Sequence, residues 1–133
     1  MRAVLFTDVV GSTELAASVG DARADALRST HFSSMRKIIG ICGGREVKTI
    51  GDSVMASFDS AVAVVDCAAR MQQAVLHDNG QSDVVLAVRI GISMGEVADT
   101  EGDLHGMPVV EAARLCSAAE GATSLLRMSC ATS

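Results

Sequence analysis

The sequence predicts an α+β domain in which one sheet is built in the order β-α-β-β-α-β with its helices on one face, the ferredoxin-like plan. Three observations point there. A nearly continuous apolar run occupies residues 3–10, the pattern of a strand buried on both faces. Residues 45–58, Arg-Glu-Val-Lys-Thr-Ile-Gly-Asp-Ser-Val-Met-Ala-Ser-Phe, read as two strands joined at Gly51-Asp52, because a two-residue hairpin loop needs backbone angles that glycine tolerates and aspartate accepts. Stretches of helical period lie on both sides of that hairpin.

Taken in order, the first run carries one carboxylate near its end, Asp8, out of place for packing. Gly11 breaks the strand, Ser12 or Thr13 is placed to cap a helix, and Leu15 and Val19 begin its apolar face. A longer helix follows Gly20-Asp21, with Ala24, Leu27, His31, Met35, Ile38 and Cys42 recurring in steps of three and four until Gly43-Gly44. His31 belongs to that stripe and reads as a half-buried helix histidine, so it is set aside from the site. In the hairpin, period two puts Glu46, Lys48 and Ile50 on one face and Val47 and Thr49 on the other. Asp59 or Ser60 caps the next helix, which closes at His77-Asp78-Asn79-Gly80, with Asn79 or Gly80 suited to a left-handed end. Residues 84–92 read as another central strand, interrupted by Arg89, whose bland reading is an interface or edge ion pair. Residues 99–106 form a surface loop or short hairpin, and Pro108 opens a last helix that carries Arg114 and ends at Gly121. Because the helices of this plan share one face, the other face, with Glu46 and Lys48, is expected to be bare and suited to a partner.

Composition narrows the function classes. At 133 residues, about half of them apolar, the chain is long enough for one core and too short for two ordinary domains. A net charge of −5 with no basic run argues against nucleic-acid binding, and with three Phe as the only aromatics a base-stacking platform is not expected. Four cysteines, Cys42, Cys67, Cys116 and Cys130, form no C-x-x-C pair and suit reduced, buried thiols. No apolar run approaches the roughly 18 residues of a membrane span, so a cytoplasmic chain without a membrane segment is expected.

Four segments, in order, resemble one family. They are residues 5–13 (Leu-Phe-Thr-Asp-Val-Val-Gly-Ser-Thr), 43–52 (Gly-Gly-Arg-Glu-Val-Lys-Thr-Ile-Gly-Asp), 89–97 (Arg-Ile-Gly-Ile-Ser-Met-Gly-Glu-Val), and 102–106 running on to Ala112-Ala113-Arg114-Leu115. Together they are similar to the catalytic domain of class III nucleotidyl cyclases, the adenylyl and guanylyl cyclases, especially the bacterial type. The resemblance covers residue 3 to about 121, giving a cyclase homology domain at 1–121 and an atypical tail at 122–133. It implies a sheet of the plan derived above and active sites at the interface of a head-to-tail dimer, either a homodimer or a dimer with another cyclase chain.

The resemblance also implies roles. Asp8 and Asp52, with the backbone carbonyl of Val9, match the positions that bind two Mg²⁺ or Mn²⁺ ions, and hard oxygen ligands suit those ions. Lys48 and Asp103 resemble the base-selecting pair, the lysine donating to an adenine ring nitrogen and the aspartate accepting from the 6-amino group, which favours ATP over GTP. Arg114 matches the arginine that stabilises charge developing on the phosphates. The implied reaction converts ATP to 3′,5′-cyclic AMP and pyrophosphate.

Two departures keep other readings open. Val110 stands where the family usually has a ribose-orienting asparagine, and residues 122–133 do not resemble the family's further strand, helix and hairpin, so that the chain reads as truncated there. A catalytically silent module that binds nucleotide or a cyclase partner is the alternative. Palm-type nucleotidyl transferases also use two carboxylates, but a Gly-Gly-Asp/Glu-Glu-Phe hairpin is missing here.

Overall fold

Period-two alternation along the first strand divides the protein into two cores, as the computed structural model shows for residues 2–119 and 125–128. The elements are β1 (Arg2–Val10), α1 (Ser12–Val19), α2 (Asp21–Ile41), β2 (Arg45–Ile50), β3 (Ser53–Phe58), α3 (Ala61–Gly80), β4 (Ala87–Gly95), β5 (Ala98–Thr100), β6 (Asp103–His105), α4 (Met107–Ala118) and β7 (Leu125–Met128). The main sheet runs β2-β3-β1-β4-β7, and β5 pairs with β6 as a separate hairpin. Its first four strands are antiparallel neighbours, the order that two interleaved β-α-β units produce, so the expected plan holds. Within the segment read as a tail, β7 adds a fifth strand parallel to β4. Gly121, expected to end the last helix, lies outside the described residues.

Ala3 and Leu5 face α2 and α3, sharing a core with Val54, Ala56 and Phe58 of β3, Ile90 and Ile92 of β4, Met35 of α2 and Met71 of α3. Each large side chain fully buried here contributes about 1.5–3 kcal/mol. Val4 and Phe6 face the other way and meet Met55, Leu104 of β6, and Ala112 and Cys116 of α4. The helices of the repeat therefore share one face, but the opposite face is not bare over β1 and β4, where α4 lies. Gly91 permits this approach. A Cβ there would stand 2.3 Å from both the Ala112 carbonyl oxygen and the Cys116 backbone nitrogen.

Several helix ends differ from expectation. Gly11, at φ 71°, is the cap of α1, and Leu15 N–H donates to its carbonyl at 2.9 Å, so Ser12 and Thr13 lie inside the helix. Ser60 does cap α3, its Oγ accepting from Ala63 N–H at 3.0 Å. No left-handed residue closes α3: Gln81 continues in a right-handed conformation. The Asn79 amide instead bonds both the N–H and the C=O of Leu86 at 3.0 Å, which secures residues 84–86 as a connection and delays β4 to Ala87.

Candidate active site

The β1–β3 register brings the two expected metal carboxylates to one end of the sheet. Asp8 of β1 lies opposite Ser53, and Ser53 follows Asp52 in the turn between β2 and β3. That turn needs a positive φ at its first central residue, and Gly51 supplies it at 56°. Each carboxylate has a guanidinium beside it. Arg89, the cross-strand neighbour of Asp8 on β4, donates from Nη2 to Asp8 Oδ2 at 2.5 Å, and Arg28 Nε of α2 stands 3.9 Å from Asp52 Oδ1. Arg89 Nη1 also donates to the Ser117 carbonyl at 3.2 Å, tying α4 to the carboxylate end of β1.

This donor set fits a hard divalent cation. The side chains of Asp8 and Asp52 are 20% and 27% exposed, enough to be reached from solvent. Among the described residues no group of three or more His, Cys, Asp or Glu gathers as a closed metal cage. Magnesium is ordinarily held in this open way, by one or two carboxylates with water and substrate phosphates completing the shell.

A second pair forms on the α4 face. Lys48 Nζ donates to Asp103 Oδ2 at 3.0 Å, and Asp103 Oδ1 accepts from Leu104 N–H at 2.8 Å. The lysine hydrogen bond holds the Asp103 carboxyl below its ordinary value of 3.8, with partial desolvation opposing it. Both groups are more than a third exposed, so the pair fixes position rather than adding stability. Asp103 reaches Lys48 because β5 and β6 turn tightly at Glu101-Gly102, both at positive φ, 54° and 84°.

The side on which Lys48 lies corrects the simple alternation of the sequence. Glu46 pairs with Ala56, but Lys48 pairs with Met55, so Val47 is an extra residue and β2 carries a bulge. Ala56 belongs to the α2–α3 core and Met55 to the α4 core. Glu46 and Lys48 therefore point to opposite faces.

Arg114 is brought to neither pair. It is exposed on the outer side of α4, in an open groove with Val109, Val110, Ala113, Ser117 and Ala118. Met107 and Val110 on the same helix are 60% and 42% exposed, an apolar surface that none of the described residues covers. Sequence reasoning read Arg89 as an ion pair but did not place it at the site, and it left out Arg28 and the bulge. A signal existed for Arg89, a lone positive charge in an otherwise apolar central strand.

Comparison with known proteins adds the following. A family model of the adenylate and guanylate cyclase catalytic domain matches residues 2–124. An adenylate cyclase of Streptomyces coelicolor is 32% identical over 117 residues, which is 88% of this chain and 30% of that protein, so the chain spans less than a third of this relative's length. Among solved structures, an adenylate/guanylate cyclase/hydrolase from Silicibacter pomeroyi superposes with a TM-score of 0.80 at 28% identity, covering 96% of this chain and 73% of that one. The adenylyl cyclase CyaB of P. aeruginosa gives 0.77 at 26% identity, covering 96% and 76%. No helix among the described residues is long and apolar enough to cross a membrane.

Proposed function

Because the chain belongs to the adenylate and guanylate cyclase catalytic-domain family, we propose that it carries the two halves of an adenylate cyclase site, which unite when two cyclase domains meet head to tail. The observation that carries this reading is the 3.0 Å bond from Lys48 to Asp103, which orients one donor and one acceptor beside each other on an accessible face. Adenine presents the matching ring acceptor and amino donor, and guanine the opposite pattern. Lys48 sits on edge strand β2 and Asp8 on β1, with β3 between them. Base recognition and phosphate chemistry are thus displaced across the sheet of one chain. Pairing with a second domain, a copy of this chain or another cyclase, would set Asp8 and Asp52 of one against Lys48, Asp103 and Arg114 of the other, and the exposed apolar side of α4 supports such an interface.

Asp8 and Asp52, with the Val9 carbonyl, would hold two Mg²⁺ or Mn²⁺ ions. When bound, such ions lower the pKa of the ribose 3′ hydroxyl and neutralise the leaving pyrophosphate. The 3′ hydroxyl gives its proton to solvent water, and its oxygen bonds to the α-phosphorus as the bond from that phosphorus to the oxygen bridging it to the β-phosphate breaks, releasing pyrophosphate. Arg114 would stabilise the charge that develops on the phosphates, and Lys48 and Asp103 would orient the base so that the ribose meets the α-phosphate in line.

Cyclic AMP formation from ATP with Mn²⁺, measured over a range of protein concentrations beside Asp8→Ala and Asp52→Ala, tests the proposal. Product that is lost in both variants, with a rate per chain that rises with concentration, is expected. Exposed Val110, at the position where the resemblance has a ribose-orienting asparagine, favours one other reading, the silent module. Metal-dependent ATP binding by a folded chain without product would select it, and a folded chain with neither would sink both.

A further inference from the structure

The bulge in β2 is held from the opposite face by three side chains. Arg36 of α2 donates from Nε to both carboxylate oxygens of Glu46, at 3.1 and 3.0 Å, and from Nη2 to Thr49 Oγ1 at 3.4 Å. Thr49 Oγ1 in turn donates to Glu46 Oε1 at 2.8 Å. In a regular strand, residues three apart point to opposite faces, so Glu46 and Thr49 could not meet. They meet here because one extra residue stands between them. Glu46 pairs with Ala56 and Thr49 with Val54, both of which face the α2–α3 core, while Val47 packs into the α4 core and Lys48 pairs with Met55 on that same side. The Glu46–Thr49 bond and the regular register exclude each other.

We propose that Arg36, Glu46 and Thr49 form a clamp that holds this bulge, and through it keeps Lys48 on Asp103 and sets the preference of the site for adenine over guanine. The last step rests on the base-selecting reading of Lys48 and Asp103 given above. The competing state is a β2 without its bulge. There, Lys48 turns toward α2, onto the face of Glu46, and leaves Asp103 without its partner. Each residue of the clamp is a positioning residue, acting on the nucleotide only through Lys48. Within the sheet β2 bonds to β3 alone, and Arg45 anchors its start, donating to the Gly102 carbonyl at 3.2 Å and to Asp99 Oδ2 at 3.4 Å, ahead of the bulge.

The test compares Thr49→Val and Glu46→Ala with Thr49→Ser, which keeps the hydroxyl, in the full chain. One readout needs no nucleotide: the NMR resonances of the Lys48 side-chain amine, followed while Asp103 titrates, report whether the two still touch. The other is binding of fluorescent ATP and GTP analogues in Mn²⁺, as a ratio of affinities. In the valine and alanine variants the Lys48 response to Asp103 disappears and the ATP-to-GTP ratio falls by about tenfold, the scale of one lost recognition contact. The serine variant retains both. A Lys48 response that persists in folded Thr49→Val and Glu46→Ala chains overturns the clamp. Loss of that response with an unchanged affinity ratio supports the clamp and removes Lys48 from base selection.

Discussion

Arg89 Nη2 lies 2.5 Å from Asp8 Oδ2, across the central strand pair of the sheet, so a cation of the chain itself occupies the carboxylate proposed to hold metal. Two unit charges about 4 Å apart at an effective dielectric of about 20 interact by about 4 kcal/mol. Any divalent ion that binds Asp8 must work against a guanidinium of that strength or displace it. Arg89→Met is therefore expected to tighten Mn²⁺ binding to the nucleotide-free chain by at least about tenfold, since a discount of more than half on that interaction still leaves one decade. Manganese titration followed by electron paramagnetic resonance measures the effect. Unchanged or weaker binding would mean that Arg89 does not compete for Asp8.

Gly91 and Gly40 should respond in opposite directions to the same substitution. A Cβ at Gly91 meets the backbone of α4 at 2.3 Å, at the Ala112 oxygen and the Cys116 nitrogen, and neither atom can move without lifting the helix. Gly91→Ala is expected to cost about 3 kcal/mol, at the upper end of overpacking, because the collision is with backbone rather than with a flexible side chain. At Gly40, inside α2 and exposed, a Cβ meets nothing within 4 Å. Gly40→Ala should stabilise by about 0.5–1 kcal/mol through the conformational entropy of the unfolded chain. Urea midpoints at constant slope check both. A neutral Gly91→Ala would mean that α4 does not rest on β4 as described.

The sheet and its crossover helices were legible because each element carried its own period and its own punctuation. The apolar run of β1, the Gly51-Asp52 turn and the stripes of α2 and α3 all point to one topology, and local signals that agree are what specify a fold. What escaped was whatever depended on register between elements. Strict alternation put Lys48 beside Glu46, because nothing in Arg-Glu-Val-Lys-Thr-Ile marks Val47 as the extra residue; the partners that reveal it are Arg36 on α2 and Ala56 and Met55 on β3. The pairing of Asp8 with Arg89 likewise requires knowing that β1 and β4 are neighbours, 81 residues apart in sequence. The side of the sheet on which α4 lies follows from the missing Cβ of Gly91, a packing fact that helix periodicity does not encode. Lys48 and Asp103 were paired only through the family resemblance, yet the bond between them stands on the geometry of the β5–β6 turn.

His31 gives the fold a pH dependence whose sign follows from its surroundings. The ring is 5% exposed on α2, 5.8 Å from the Phe32 ring, and it borders a cavity of about 260 Å³ shared with Leu27, Thr30, Val75, Asp78 and Leu86. Burial favours the neutral imidazole and lowers its pKa below the ordinary 6.5, while the charges of Asp78 and Asp52 oppose that shift without cancelling it. The unfolded chain therefore binds the proton more readily than the folded one. The stability associated with His31 is complete above about pH 6.5, declines as the pH falls below it, and levels off once the folded group has also titrated. His31→Gln removes this titration while keeping a polar side chain, so the loss of stability between about pH 7.5 and about pH 5 should be smaller in the variant than in the parent. Asp103, whose carboxyl is held below 3.8 by its exposed bond to Lys48, titrates below this range and adds nothing to the difference. Urea midpoints at the two pH values measure it. An equal pH loss in parent and variant would show that the imidazole is protonated alike in the folded and unfolded chains.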